Sequence, residues 1–354
     1  MNLEDFGYNE HLEKCKAVNN PEGYEIGRII AEHRERYIVA TEKGDLEAEI
    51  TGNLRFSAKN REDFPAVGDW VALTSYDSGF AIIHRILPRY SVISRQATGK
   101  FGEIQIIAAN IDFALIVQAI DRDFSINRLE RYLTISHSSG VSPIIVITKT
   151  DLLTGKEVDN LVREIRQRIT DIPVIPLSNE TRDGYEALKA ILQNGKTFCL
   201  LGSSGVGKST LLNNLSGKNI MNTGTISQST DRGRHITTHR ELIVLEDGAI
   251  FIDNPGMREV GITDRSGGLE TTFDLIADLS KKCRFKNCTH TDESGCSVLE
   301  ALESGEIDRD SFDNFQKLVK ERSHFESTVA ERRQKDKKFG KMLKEYHKLN
   351  VNRK

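Results

Sequence analysis

Residues Gly202 to Thr210 read GSSGVGKST and satisfy the spacing G-x-x-x-x-G-K-[ST], with Gly202, Gly207, Lys208 and Ser209 in the fixed places. The chemistry requires those types. Glycines let the backbone N–H groups of a tight loop wrap the α- and β-phosphates of a nucleotide with no side chain in the way. The lysine ammonium reaches the β- and γ-phosphates, and the Ser209 hydroxyl ligates Mg²⁺. Ser203, Ser204, Gly205 and Val206 fill the loop between the fixed positions. The flanks agree. KTFCLL (Lys196–Leu201) reads as a short buried strand running into the loop, and TLLNNL (Thr210–Leu215) as the first turns of a helix whose N-terminus favours phosphate.

At 354 residues the chain is long enough for two or three domains, and its composition is that of an ordinary globular protein. Its longest apolar runs, Phe113–Ile120 and Pro143–Ile147, are strand-sized. A transmembrane helix needs roughly 18 residues or more, so no membrane association is expected. The opening MNLEDFGYNEHLEK is polar and acidic, unlike a secretory signal. Five cysteines, three of them clustered late, fit a reducing, cytoplasmic setting with a metal site and no disulfide framework. Net charge is only −3, but it is unevenly spread. Ala330–Lys354 carries ten Lys and Arg against three acids, which suggests a polyanionic partner; a solvated, partly helical tail is the competing reading.

Residues 1 to about 22 have no strong period and read as an irregular lead-in. Five short β-rich runs follow: EIGRII, RYIVAT, DLEAEI, DWVALT and FAIIHRIL, separated by Gly, Asp, Asn and charged turns. They predict a small barrel of OB type, an architecture that often binds oligonucleotides, although the pattern alone does not separate it from an SH3-like barrel. Trp70, the only tryptophan, reads as a core anchor. From about Ile104 the pattern becomes α/β. A buried strand lies within Ile106–Ile120 and another at Pro143–Thr148, with an amphipathic helix over Asn127–Ser138 between them. A helix over Lys156–Arg168, a strand over Val174–Ser178 and a helix over Gly184–Gln193 continue the alternation, which argues for a parallel sheet covered on both faces.

Directly after the strand PIIVI comes TKTD, Thr148, Lys149, Thr150 and Asp151, which resembles the N/T-K-x-D base-recognition motif of GTPases. A carboxylate at Asp151 accepts two hydrogen bonds from guanine, at N1–H and the exocyclic amine. Adenine offers neither, leaving the carboxylate unpaired. The Lys149 stem can lie along the base face. Thr148 stands where Asn is commoner. Leu177–Asn179 occupies the place of the loop whose backbone meets the guanine oxygen, with Ser178 followed by Asn179 in place of the usual S-A. After the phosphate loop, STDRGRHITTH (Ser229–His239) offers Thr237 and Thr238, one of which would ligate Mg²⁺ and sense the γ-phosphate. AIFIDNPG (Ala249–Gly256) ends in D-x-x-G: Asp253 would hold Mg²⁺ through water, and the Gly256 amide would meet the γ-phosphate. Ordinary GTPases place the base motif last; here it precedes the phosphate loop, so the order is circularly permuted. Met257 stands where many GTPases carry the Gln that orients water, which predicts slow intrinsic turnover and stimulation by a partner. His235 is the candidate replacement, with contact to RNA as the competing role.

Cys283, Cys288, His290 and Cys296 give C-x₄-C-x-H-x₅-C, a closed, structural tetrahedral set for one Zn²⁺. Lys281, Lys282, Arg284 and Lys286 crowd it, as a phosphate-contacting face would. Val298–Glu303 and the segment from Asp310 onward read as helices, and Cys199 as core.

Together these features resemble the ribosome-small-subunit-dependent GTPase A family of bacteria. The resemblance runs over about residues 24–325 and rests on GSSGVGKST, RGRHITTH, DNPGMRE, and CRFKNCTHTDESGCSV followed by ALESGEI. It implies an OB barrel, a circularly permuted GTPase domain and a helical zinc-binding domain, here over residues 1–100, 101–265 and 266–354. It implies contact with GTP through Thr148–Asp151 and Gly202–Thr210, and zinc on the three cysteines and His290. It also implies a cytoplasmic role in late maturation of the small ribosomal subunit, with rRNA binding and subunit-stimulated hydrolysis of GTP to GDP. Lys208, His235 and Gly256 would carry the catalysis, in a chain expected to be a monomer. Ile236 and Asn254 stand where members often have Thr, beside the Mg²⁺ and γ-phosphate residues. A scaffold that binds RNA and uses GTP only as a conformational ligand is the alternative; a phosphate-loop ATPase is a third, which Asp151 opposes.

Overall fold

The computed structural model describes residues 2–19, 23–33, 36–76, 79–96, 104–121, 124–219, 241–253 and 267–326. The leading segment departs from expectation. It is ordered into a 3₁₀ turn over Leu3–Phe6 and a helix α1 (Glu10–Asn19). Asn2 and Asp5 form a capping box, and the Asn9 carboxamide oxygen accepts the Leu12 N–H. Leu3, Phe6 and Leu12 are buried, and burial of these three anchors replaces the missing helical period.

The five β-rich runs form β1 (Glu25–His33), β2 (Arg36–Thr41), β3 (Gly44–Ile50), β4 (Trp70–Tyr76) and β5 (Phe80–Ile86), with α2 (Gly52–Ser57) between β3 and β4. They pair in the order β1-β2-β3-β5-β4, and β4 returns to β1, closing the barrel. The β3–β5 pair is parallel and the others antiparallel. This is the expected OB-type barrel, with Trp70 buried in it.

The run Ile106–Ile120 holds two strands where one was expected. β6 (Val92–Gln96) and β7 (Ile104–Ala109) make a separate antiparallel hairpin, and β8 (Phe113–Ala119) belongs to the main sheet. The break is Asn110, buried at φ 55°, a left-handed backbone that asparagine tolerates. Its side chain donates to the Gly68 carbonyl at 3.1 Å.

The α/β part contains α3 (Ile126–Ser138), β9 (Ser142–Thr148), α4 (Gly155–Arg168), β10 (Val174–Pro176), α5 (Tyr185–Lys189), β11 (Thr197–Leu201), α6 (Lys208–Ser216), β12 (Glu241–Val244) and β13 (Ile250–Asp253). Strands β10-β9-β8-β11-β13 run parallel, with β12 antiparallel beside β13. Alternate residues feed two cores, as a sheet covered on both faces requires. Leu115, Val117, Ile144, Val146, Phe198 and Leu200 share one with α5 and α6; Ala114, Ile116, Ile145, Ile147, Cys199 and Leu201 share the other with α3. Strand β12 also bridges β1 through Ala31 and Glu241, so among the described residues barrel and α/β strands form one eleven-stranded sheet.

The C-terminal part contributes α7 (Gly268–Thr272), α8 (Asp274–Ser280), α9 (Ser297–Ser304) and α10 (Arg309–Glu326). Helix α10 is fastened to α3. Glu130, buried, accepts from Asn314 Nδ2 at 2.6 Å, Ser311 Oγ at 3.1 Å and Arg168 Nη2 at 2.8 Å. Arg131 forms a bidentate pair with Glu321 at 2.6 and 2.7 Å. Among the described residues no helix is long and apolar enough to cross a membrane.

Candidate functional site

Strand β11 ends at Leu201, and the chain turns through Gly202–Gly207 into α6. Gly202 sits at φ 150°, and a Cβ there would lie 2.2 Å from the Val117 carbonyl oxygen. Gly207 sits at φ 93°, and a Cβ would lie 2.5 Å from Asn179 Nδ2. Backbone leaves no room for a side chain at Gly202, and the left-handed backbone at Gly207 strains any residue but glycine. Ser204 and Gly205 are exposed at the rim, while Val206 is buried beneath it. The first α-helical bond of α6 runs from Leu211 N–H to the Gly207 carbonyl. The N–H groups of Lys208, Ser209 and Thr210 thus lie in the unbonded first turn of the helix. The Lys208 ammonium donates to the Gly202 carbonyl at 2.8 Å and the Ser203 carbonyl at 2.5 Å, folding over the loop. Arg128, in the first turn of α3, reaches Ser203 Oγ at 3.3 Å.

The TKTD segment lies beside this loop. Thr148, the last residue of β9, is fully buried, and its hydroxyl donates to the Val206 carbonyl at 2.7 Å. Lys149 adopts φ 63°, and its ammonium pairs with Asp121 at 2.6 Å. Thr150 and Asp151 begin a 3₁₀ turn. Ser178, fully buried, donates to Asp151 Oδ1 at 2.5 Å and accepts the N–H groups of Glu180 and Thr181. The two motifs, some 50 residues apart in the chain, are therefore neighbours joined by hydrogen bonds. The result is a cradle of backbone donors and one ammonium, flanked by a fixed carboxylate. Such a cradle suits a polyphosphate on one side and a base with two adjacent N–H donors on the other.

His235, Thr237, Thr238 and Gly256 lie outside the described residues, as does the basic tail; Asp253 ends β13, paired across to Glu241 on β12.

The Cys283, Cys288, His290 and Cys296 donor atoms all lie within 4.8 Å of one another. Cys283 and Cys296 sulfurs are 3.8 Å apart, and His290 Nδ1 is 3.3 Å from Cys296 Sγ. Zn–S bonds of about 2.3 Å at tetrahedral angles put sulfurs about 3.8 Å apart, so the set fits that ion. His290 Nε2 faces Ser280 Oγ at 3.0 Å, which leaves Nδ1 for a metal. Desolvation, with the neighbouring Cys296 and Cys283, pushes the Cys288 thiol up to about 12, and desolvation lowers His290. A neutral imidazole is the ligating form, and a cation in the cluster would offset the cost of thiolates there.

A family model described as RsgA GTPase matches residues 86–263. A small ribosomal subunit biogenesis GTPase, RsgA 2 of Lactiplantibacillus plantarum, is 42% identical over 324 residues, covering 92% of this chain and 90% of its own. The chain belongs to the RsgA GTPase family. Among solved structures, YjeQ from Thermotoga maritima superposes with a TM-score of 0.63 at 26% identity, covering 84% of this chain and 98% of that one. YloQ, described as a circularly permuted GTPase, gives a TM-score of 0.62 at 24% identity, covering 88% and 99%, and shares the fold. The permuted order of the family is visible here in the sheet: the strand that carries TKTD, β9, precedes β11 and the phosphate loop in the chain but lies beyond β8 in space. A second model, described as ABC transporter, matches residues 185–347, less than half the chain; that span includes the phosphate loop.

The Asn179 side chain takes a part in the site beyond its place in the loop, donating to the Gly207 carbonyl at 3.1 Å; Arg28 on β1, buried, lies at the end of β11 away from the phosphate loop, donating to Thr197 Oγ1 at 2.9 Å. Asn179 carried a signal, as a departure from S-A beside the base motif. Arg28 carried none, because its partners are remote in sequence.

Proposed function

We propose that this protein hydrolyses GTP to GDP and phosphate and acts in biogenesis of the small ribosomal subunit, which stimulates it. The observation that carries the reading is the hydrogen-bonded union of a complete phosphate loop with a TKTD carboxylate held by Ser178. Gly202–Thr210 bind the phosphates, Ser209 and Asp253 hold Mg²⁺ with Thr237 or Thr238, and Thr148–Asp151 with Ser178 hold guanine. Lys208 and the Gly256 amide stabilise the transferred phosphoryl group, and His235 positions water. These roles follow from motif position and chemistry. One Zn²⁺ sits on Cys283, Cys288, His290 and Cys296 as a structural ion. The units are residues 1–100, 101–265 and 266–354, although the β6–β7 hairpin straddles the first boundary. The protein works in the cytoplasm as a monomer. Its RNA contacts come from the barrel, the zinc segment with exposed Phe285 and neighbouring Arg284, and the basic tail.

The base assignment has a direct check. Asp151→Asn removes an acceptor of two guanine donors and supplies an amide donor instead. Affinity for GDP is expected to fall at least ~100-fold, while xanthosine diphosphate, with a carbonyl in place of the amine, gains affinity. Equilibrium titration of both nucleotides against wild type and variant measures this. Unchanged GDP affinity in the variant would remove Asp151 from the site.

A further inference from the structure

Asn179 sits at the meeting point of the two halves of the nucleotide site. Its side-chain oxygen accepts the Tyr185 hydroxyl at 2.7 Å, which fixes the amide orientation and aims Nδ2 at the Gly207 carbonyl. That carbonyl also accepts the first α-helical bond of α6, from Leu211 at 2.8 Å. Both lone pairs of Gly207 are thereby used, one by the helix behind the phosphates and one by the loop beside the base. The arrangement is braced from α6 as well. Asn214 Nδ2 lies 3.0 Å from the Asn179 carbonyl and 2.8 Å from the Tyr185 hydroxyl. Burial raises the Tyr185 phenol, which keeps it a donor. On the other side, the residue before Asn179 is Ser178, whose hydroxyl holds Asp151. Ser178 and Asn179, adjacent in the chain, therefore connect Asp151 to Gly207 and the start of α6.

Thr148 and Asn179 thus each donate one bond to consecutive carbonyls of the phosphate loop, at Val206 and Gly207.

We infer that Asn179 is a positioning residue that couples recognition of the base to the geometry of the phosphate loop. The inference rests on the guanine-nucleotide reading above and says which residue ties its two halves together. Its consequence is non-additivity. In the wild-type chain the base contact reinforces the phosphate contacts, so removing one guanine donor weakens both. Without Asn179 the base contact acts alone.

The experiment is equilibrium binding of GDP, inosine diphosphate and ADP to the full chain, for wild type, Asn179→Ala and Asn179→Asp. Inosine lacks the exocyclic amine and so loses one of two bonds to Asp151. Wild type is expected to prefer GDP over inosine diphosphate by ten- to a hundredfold, and Asn179→Ala to narrow that ratio about three- to tenfold. Asn179→Asp keeps the acceptor for Tyr185 but turns an oxygen toward the Gly207 carbonyl. It is expected to weaken GDP more than Asn179→Ala does, with the nucleotide-free melting temperature of both variants close to wild type. If Asn179→Ala lowers GDP and inosine diphosphate affinity by the same factor, or changes neither, Asn179 is a packing residue and the coupling is wrong. A wild-type protein that binds ADP as tightly as GDP would overturn the guanine-nucleotide reading itself, a separate result, and the coupling would go with it.

Discussion

Lys208→Ala is expected to lower GTP hydrolysis at least ~100-fold while the chain stays folded. The Lys208 ammonium donates to the Gly202 and Ser203 carbonyls, two groups of the loop proposed to surround the phosphates. The side chain is only partly buried and has no part in either hydrophobic core, so removing it leaves the sheet intact. A polyphosphate in the cradle would replace those two carbonyls with oxygens that gain charge as the γ-phosphoryl group transfers. An interaction stronger in the transition state than in the ground state is the kind that sets the rate. Single-turnover phosphate release with saturating GTP, beside a melting curve, measures the effect. Turnover within a few-fold of wild type would mean that Lys208 does not act on the phosphates.

Removing metal from the Cys283–Cys296 segment is the second large expected effect. Residues between α8 and α9 contain little regular structure, and the four donor residues supply much of the segment's buried surface: Cys296 and His290 are buried while Lys281, Lys286 and Asn287 are exposed. Structural zinc contributes on the order of 10 kcal/mol or more in small metal-dependent folds. Here α10 is also held to α3 by Glu130 and Arg131, so the loss should be local to residues near 281–297 and should not unfold the α/β sheet. The expected result is one zinc per chain by elemental analysis. After chelation, or in Cys288→Ser, rapid proteolysis is expected within that segment, with the remainder resistant. A metal-free preparation that resists protease as well as the untreated protein would refute the structural role.

Much of this molecule was legible because its signals are local. GSSGVGKST, TKTD and the Cys₃His spacing each compress a geometry into a few residues, and the five barrel strands carry a clean turn-and-alternation pattern. The structure places the first two side by side, as the permuted order requires. What was hidden is non-local. Arg28 stands in a strand pattern where a charged residue reads as solvent-facing. Its guanidinium instead meets the Phe6, Gly68 and Asn110 carbonyls and Thr197, from four distant segments, with the Trp70 ring 5.4 Å away. The leading helix α1 was hidden for the same reason. Leu3, Phe6 and Leu12 are anchored by the barrel and by Arg28, and they follow no 3.6-residue period. Strand β12 is short and earns its place by pairing with β13 and touching β1. The split of Ile106–Ile120 into two strands turned on one left-handed asparagine inside a continuous apolar run.

The most direct test is phosphate release from GTP by the full-length protein, measured with and without purified small ribosomal subunits and with ATP as the competing substrate. Slow release is expected from the protein alone, because Met257 stands where a water-orienting Gln is common, with a rise of at least ~10-fold with subunits for GTP only. Release that stays at background although the subunits bind the protein would contradict this expectation and leave an RNA-binding scaffold with a nucleotide as its conformational ligand.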